Sequence, residues 1–581
     1  TVEKLIVDHI DTWTTALQTR STAGRGSSGK IDLYGIKKLR ELILELAVRG
    51  KLVPQDPNDE PASVLLRGMK KQQEDLIKEK KIKKPKKLPP IDEILESISL
   101  PQGWELCYLN DIGDWGAGAT PNRTNSGYYG GNIPWFKSGE LSEDYITDSE
   151  EHITALALKE CSLRDNQPGD VLIAMYGATI GKTSILNTRS TSNQAVCACT
   201  PFDGLSNQYL LTFLKASKRV FTSMGAGGAQ PNISKEKIVA TQFALPPLKE
   251  QLRIVEKVEQ LMSLCDLLEQ HSLTSLDAHQ QLVETLLTTL TDSQNADELA
   301  ENWARISEHF DTLFTTEASI DALKQTILQL AVMGKLVPQD PNDEPASELL
   351  KRIAQKKAQL VKEGKIKKQK PLPPISDEEK PFELPEGWEW CRVSEVAMFT
   401  TSGSRDWAKY YSESGALFVT MGNLSKDSYD LRMDNRRYVN PPENGEGLRT
   451  KLEPFDLIIS ITGDVGNLGL IPEDLGLAYI NQHSCLLRFI PICRNYYFPE
   501  LMRSPLAKLQ FNAPQRGIKN SFRLSDVETM VIPLPPYKEQ TLIAEKIKVL
   551  MNICDVLRTS IQSAQQTQLH LADALTDAAI N

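Results

Sequence analysis

A passage of seventeen residues occurs twice in this chain, and that duplication limits the available folds more than any other feature. Ala47 to Ser63 returns at Ala331 to Ser347 with one change, Arg49 against Met333, at an offset of 284 residues. The offset holds upstream, where Ile36, Leu39, Ile43 and Leu46 match Ile320, Leu323, Ile327 and Leu330. It also holds downstream, where Leu100-Pro101-Gln102-Gly103-Trp104-Glu105 matches Leu384-Pro385-Glu386-Gly387-Trp388-Glu389. A period this long is not that of a solenoid, whose units run to about 20–50 residues. It describes a duplicated two-domain unit.

A second repeated block follows each long middle segment. Leu245-Pro246-Pro247-Leu248-Lys249-Glu250-Gln251 matches Leu534-Pro535-Pro536-Tyr537-Lys538-Glu539-Gln540. Beyond it, Ile254, Val258, Leu261, Cys265 and Leu268 match Ile543, Ile547, Leu550, Cys554 and Leu557, in steps of four and three that make a coiled-coil seam. Proline is tolerated at a helix start and not inside, so the prolines mark where each long helix begins. The expected helices run from about 248 to 290 and from about 537 to 578. Each half reads as a short helix, a Lys/Pro-rich connector, a variable globular segment and a long helix. The helical blocks are nearly copied while the globular segments have drifted apart, as when one scaffold presents two different recognition surfaces.

Composition narrows the class. With 581 residues the chain exceeds one ordinary domain, and 40% hydrophobic with 24% charged residues is the balance of a soluble globular protein. No run of eighteen apolar residues suggests a membrane span, and the first residues lack a basic segment followed by an apolar core, so no secretory signal is expected. Nine cysteines lack CxxC spacing; Cys197-Ala198-Cys199 is too tight for a zinc knuckle, and reduced cytoplasmic thiols are expected. A net charge of -10 weighs against nucleic acid, although a sum over all faces permits basic reading surfaces on an acidic scaffold.

The variable segments share faint framework. Trp135 to Ser142 lines up with Phe418 to Ser425, Asp170 to Gly177 with Asp456 to Gly463, and Asn193-Gln194 with Asn481-Gln482. Val171–Met175 and Leu457–Ile461 read as strands. The order of a Gly-Trp start, a Gly118-Ala119-Thr120-Pro121 loop, an Ile-Pro-Trp strand and a Gly-Asp-Val-Leu-Ile run precedes Gly177-Ala178-Thr179-Ile180-Gly181-Lys182. An Asn-Gln pair and a Leu-Pro-Pro…Glu-Gln helix complete it. This arrangement resembles the DNA-specificity subunits of type I restriction–modification systems, over nearly the whole chain and twice. The second segment departs from it, with Thr401-Ser402-Gly403-Ser404-Arg405 for the first loop and Gly463-Asp464-Val465-Gly466-Asn467 for the Gly-Lys run.

The resemblance implies an α+β protein of two globular target recognition domains separated by a pair of long antiparallel coiled-coil helices, with an internal pseudo-twofold repeat. The expected divisions are a helical region and basic connector (1–99), recognition domain 1 (100–245), a central helical region and connector (246–383), recognition domain 2 (384–534) and a final helix (535–581). It implies a non-catalytic reader of double-stranded DNA, each domain taking one half of a bipartite asymmetric site. Two modification subunits would methylate adenine with S-adenosylmethionine, and restriction/translocase subunits would add ATP- and Mg-dependent cleavage; none of these cofactors is expected on this chain. The rival is a protein-interaction scaffold that reads no DNA.

The residues agree with a binder. The Gly177–Lys182 run has three residues where a P-loop needs four, and Tyr176 stands where its first Gly belongs, so nucleotide binding is not expected. It reads either as a turn after a buried strand or as a loop bringing amides and Lys182 to a DNA phosphate. The Leu-Pro-Pro pairs carry no Asn or Asp before the prolines, as adenine methyl transfer would need. The basic connectors Lys80–Lys87 and Lys365–Lys370 read as solvated runs or as sequence-blind phosphate contacts. Base edges demand Arg, Lys, Asn, Gln, Ser or Thr. Domain 1 offers Thr120, Asn122, Arg123, Lys137, Ser138, Asn193, Gln194 and Gln230, with Tyr176, Thr179 and Lys182 in the Gly-Lys loop. Domain 2 offers Ser402, Ser404, Arg405, Lys409, Thr420, Asn423, Asn481, Gln482, Arg516, Lys519, Asn520 and Arg523. Where the domains align but differ, as Lys137/Ser138/Glu140 against Thr420/Met421/Asn423, specificity is the expected reason.

Overall fold

The computed structural model describes residues 2–20, 30–91, 100–225, 231–443, 447–513 and 522–580. The chain divides into two compact units. The first holds residues 30–274 with 2–20 and 565–580, and the second lies within 275–564.

In the first unit, helix α1 (Tyr34–Val48) buries Ile36, Leu39, Leu42, Ile43 and Leu46, the apolar stripe of a 3.6-residue period. It stops at Gly50, whose φ of +66° lets the Lys51 amide return 2.9 Å to the Leu46 carbonyl, a Schellman closure. A side chain at Gly50 would strike the Pro101 ring, since its Cβ would lie 2.4 Å from Pro101 Cγ. Helix α2 (Ala62–Lys78) follows, with Ala62 N–H donating 2.8 Å to the Gly103 carbonyl. Helix α3 (Leu248–Asp292) begins in this unit, directly after the proline pair as the sequence predicts.

Helix α4 (Glu317–Val332), helix α5 (Ala346–Lys362) and helix α6 (Tyr537–Ile580) repeat the scheme in the second unit, where Gly334 has a φ of +70° and Lys335 N–H reaches Leu330 O at 2.9 Å. The repeated blocks are copied because they touch one another. Gln55 Nε2 donates 3.0 Å to Glu250, and Gln339 Nε2 donates 2.9 Å to Glu539. Gln251 and Gln540 each donate 3.0 Å to the carbonyl of the first proline in their own Pro-Pro pair. The seam positions Ile254, Val258, Leu261, Cys265, Ile543, Ile547 and Cys554 are buried.

The drifted segments keep one topology. In domain 1, strands Gly113–Ala117, Val196–Pro201, Val171–Ala174, Thr183–Leu186 and Tyr145–Ile146 form one sheet in that order. Domain 2 repeats the first four places with Ala397–Ser402, Ser484–Phe489, Leu457–Ser460 and Leu468–Leu470. A second sheet centres on Tyr129–Phe136, between parallel Thr191–Ser192 and antiparallel His152–Ile153. Its counterpart centres on Ala416–Val419, between parallel Ala478–Ile480 and antiparallel Tyr438–Val439. Each domain is closed by its ends: Glu105–Tyr108 pairs with Gln242–Leu245, and Glu389–Arg392 with Val531–Leu534. Asp170 and Asp456 play the same part, each accepting a backbone N–H from three residues earlier.

Candidate nucleic-acid interface

Two short stretches meet on each recognition domain. In domain 1 the loop after strand Gly113–Ala117 crosses the Asn193-Gln194 turn. A Cβ on Gly118 would lie 2.1 Å from the Ser192 carbonyl oxygen and 2.4 Å from that of Asn193, so only glycine fits. A Cβ on Gly403 would meet the same crowding, 2.2 Å from Ile480 O and 2.4 Å from Asn481 O, where the second loop crosses Asn481-Gln482. The two loops are equivalent although their sequences are not.

The Asn of each pair is spent inside its turn: Asn193 Oδ1 accepts Ala195 N–H at 3.0 Å, and Asn481 Oδ1 accepts His483 N–H at 3.1 Å. In domain 1 the Gln is the outer of the two. Gln194 is exposed, and its amide oxygen accepts the Thr120 hydroxyl. The rest of the loop is lashed to strand Tyr129–Phe136. Trp135 Nε1 donates 3.0 Å to Ala119 O, and Tyr129 OH donates 2.7 Å to Pro121 O. Asn122, exposed, closes a local turn by accepting the Thr124 amide and hydroxyl at 3.1 and 2.9 Å. Arg123 then lies over two rings, 4.7 Å from the Tyr129 centroid and 5.0 Å from that of Trp135. Glu151 Oε2 accepts from Arg123 Nη1 at 2.6 Å, and Lys137 Nζ meets Glu151 Oε1 at 2.5 Å. These two cations, Arg123 first, hold the Glu151 carboxyl below its ordinary range.

Thr120 thus meets Gln194, Arg123 and Lys137 meet on Glu151, and Asn122 is tied to Thr124, with Ser138 next to Lys137. Tyr176 and Thr179 stand on a neighbouring turn, tied to the Asn-Gln pair through Met175 N–H to Ala195 O at 2.8 Å. That turn is a 3-10 segment between antiparallel strands, with Gly177 and Gly181 at φ of +61° and +79°; it is a hairpin and not the strand-to-helix turn of a P-loop. Lys182 opens elsewhere, into a groove of about 1050 Å³ lined also by Asp144, Lys215, Lys218 and Asp577.

In domain 2, Ser404 bridges to Asn481, Arg405 and Lys409 are exposed, and Lys409 lies 4.9 Å over the Tyr410 ring. Gln482 Nε2 is 3.0 Å from His483 Nε2, while His483 Nδ1 meets the Thr462 hydroxyl at 2.8 Å. Ser402 is half-buried in its strand, and Arg523 is exposed at a helix start. Gln230, Arg516, Lys519 and Asn520 lie outside the described residues.

Two sequence expectations change. Glu140 and Asn423 differ, yet they do the same work: Glu140 accepts Lys137 N–H at 2.7 Å, and Asn423 accepts Thr420 N–H at 2.9 Å. Asn423 is buried, and its amide also donates 2.8 Å to Arg432 O, so it shapes the turn and Thr420 is its partner there. In addition, one Pro-Pro pair does follow an asparagine, at Asn440-Pro441-Pro442. Glu443 stands where methyl transfer needs an aromatic ring, and the Asn440 amide is bound 3.1 Å from Ser412 Oγ and from Ser414 O.

Sequence inspection missed Glu151, and with it Arg437. Trp135 N–H donates 2.9 Å to Glu151 O, and Phe418 N–H donates 2.8 Å to Arg437 O, so the two residues occupy one place in the two domains with opposite charge. The signal was present as Glu150-Glu151-His152-Ile153 against Arg436-Arg437-Tyr438-Val439, hidden by loops of unequal length before it. Among the described residues no group of three or more metal-ligating side chains assembles, and no helix is long and apolar enough to cross a membrane.

The model of the type I restriction–modification DNA specificity domain matches residues 101–278 and again 385–566. Curated relatives extend the match to the whole chain. The type I restriction enzyme EcoAI specificity subunit of Escherichia coli is 47% identical, covering 100% of both chains, and the EcoEI specificity subunit of the same species is 45% identical with the same coverage. The MjaIX specificity subunit of Methanocaldococcus jannaschii is 30% identical over 27% of this chain and 37% of its own.

Proposed function

The chain belongs to the type I restriction–modification DNA specificity family, as a non-catalytic subunit that reads DNA target sequences, and from that premise we propose how it reads. The modules at 100–245 and 384–534 each take one half of a bipartite asymmetric site in double-stranded DNA. The observation that supports this is one strand order carrying two different rims. Backbone geometry at Gly118 and Gly403 holds equivalent loops over equivalent Asn-Gln turns, and the side chains presented there differ.

On this reading Thr120, Arg123, Lys137, Ser138, Gln194, the exposed Tyr176 and the half-buried Thr179 face DNA in domain 1. Ser402, Ser404, Arg405, Lys409, Gln482 and Arg523 do so in domain 2. Asn122, Asn193, Thr420, Asn423 and Asn481 set loop shape, and Lys182 contacts phosphate. Two modification subunits bind the repeated helical blocks, one per copy, and bring S-adenosylmethionine to the flanking adenines. Restriction/translocase subunits supply ATP- and Mg-dependent cleavage. The complex works in the cytoplasm, on chromosomal and incoming DNA. A scaffold that reads no DNA would have no use for two rims of different chemistry on one framework.

Exchange of residues 106–242 for the same segment of a relative tests the division of labour. Sequencing of methylated sites in cells carrying the complete system is expected to show one new half-site and one unchanged. A change in both halves would refute independent reading.

A further inference from the structure

The one cation on either rim held from three sides is Arg123, among the described residues. Its guanidinium lies over the Tyr129 and Trp135 rings, which meet edge to face at a centroid distance of 6.3 Å and an interplanar angle of 84°. Glu151 takes Nη1 at 2.6 Å, with Nη2 3.5 Å from its other oxygen. The Nε–H edge is met by no acceptor among the described residues. That edge, Nε–H beside the remaining Nη2–H, is a parallel donor pair aimed away from the carboxylate. Half of the Arg123 side chain is exposed, so the pair faces solvent and not the core.

Such an arrangement serves base recognition better than phosphate contact. A phosphate accepts a cation from many directions, and a long mobile side chain serves it well. Guanine offers O6 and N7 side by side in the major groove, and only a planar donor pair at a fixed angle meets both. Stacking on two rings and a carboxylate clamp remove the rotamer freedom that a free arginine would lose on binding.

The clamp is not part of the shared framework. At the Glu151 position domain 2 has Arg437, and at the Lys137 position it has Thr420, yet its sheets have the same order. A fold that needed this ion pair for stability would carry it twice.

We propose that Arg123 reads a guanine in the half-site of domain 1, with Glu151 as the positioning residue that fixes its guanidinium plane. The inference rests on domain 1 reading DNA, and it adds the base and the device. Lys137, on the other oxygen of Glu151, keeps the carboxylate ionised and in place.

The test compares Arg123→Lys and Glu151→Gln in the full complex with its modification subunits, by sequencing methylated sites and by measuring binding to the wild-type site and its single-base variants at several salt concentrations. Arg123→Lys keeps the charge and loses the planar fork. It is expected to reduce discrimination at one G·C pair of one half-site by roughly 5- to 150-fold, leaving the other half-site intact. Glu151→Gln should relax the same base pair by a smaller factor, without flattening the salt dependence. The proposal is overturned if both variants keep full selectivity at every position. It is equally overturned if Arg123→Lys leaves selectivity intact while Arg123→Ala weakens all sequences alike with a shallower salt slope, the mark of a phosphate contact. If exchange of residues 106–242 alters a half-site and these variants do not, only the arginine assignment falls. If neither alters it, the reading of domain 1 itself falls.

Discussion

Glu250 and Glu539 occupy matching places in the two copies, and their environments make a clear statement about pH. Glu539 accepts the Trp388 indole N–H at 2.9 Å and the Gln339 amide at 2.9 Å, in a joint where three repeated sequences converge. Burial pushes its carboxyl above the ordinary value, and these hydrogen bonds only partly offset that; Glu250 is raised by burial in the same way. A carboxyl raised in the folded state holds its proton more tightly there than in the unfolded chain. Its contribution to stability therefore grows as pH falls from neutral through the folded value, and declines as pH rises. Glu539→Gln cannot titrate. The difference in urea midpoint between wild type and this variant is expected to shift in favour of the wild type between pH 7.5 and pH 5. A difference constant over that range would contradict the assignment. At this scale the sequence was legible for the joint, because copied residues that touch are copied together. It was opaque for Glu151, whose partner Arg123 lies 28 residues away and whose counterpart in domain 2 has the opposite sign.

Among elements, the long helices were read best. The proline pairs and the four-three spacing placed them to within a few residues, since a helix does not run back through a proline pair and an apolar seam has one period. Strands were read worst, because two- to four-residue strands such as His152–Ile153 carry too few positions for an alternation to register. The helices also carry a feature that the seam does not use. Leu264 and Leu267 on α3 are 36% and 66% exposed, and Ile553 and Val556 at the matching positions of α6 are 48% and 60% exposed. Large apolar side chains kept outside at the same two places in both copies fit one kind of partner met twice, as proposed for the modification subunits. Leu267→Glu is expected to leave unfolding unchanged within about 0.5 kcal/mol, as exposed positions usually do. It should weaken one modification subunit by roughly 1.5–3 kcal/mol, the transfer value of one such side chain. Native mass spectrometry of the variant complex should then show one modification subunit retained of the two proposed, and Val556→Glu should release the other. Retention of two subunits by the Leu267→Glu, Val556→Glu double variant would place the docking surface elsewhere.

For the whole molecule, the repeat has a consequence that a pair of independent halves would lack. Each unit is built from one half plus a length of the other half's long helix. Lys335 Nζ donates to Thr291 O and Ser293 O near the end of α3, at 2.5 and 2.9 Å, within the second unit. In the first unit the matching lysine, Lys51, donates 2.6 Å to Ile580 O, on α6. Beside it Asp573 accepts from Tyr34 OH and from Lys38 Nζ, both at 2.8 Å, while Ala572 and Thr576 are buried. The first unit is therefore completed by residues more than 500 positions along the chain from α1. Removing residues 565–581 takes two buried side chains and three polar contacts from that unit and none of the matching contacts from the second. Buried groups lost together cost several kcal/mol, enough to uncouple one unit's unfolding from the other's. Hydrogen exchange of the truncated chain is expected to show protection falling across α1 and the Leu46–Lys51 turn, while α4 and the Leu330–Lys335 turn keep theirs. Methylated-site sequencing should then show the half-site of domain 1 degraded first. Uniform loss of protection in α1 and α4 would mean that the units share one cooperative transition, and that the helix remainder supports both alike.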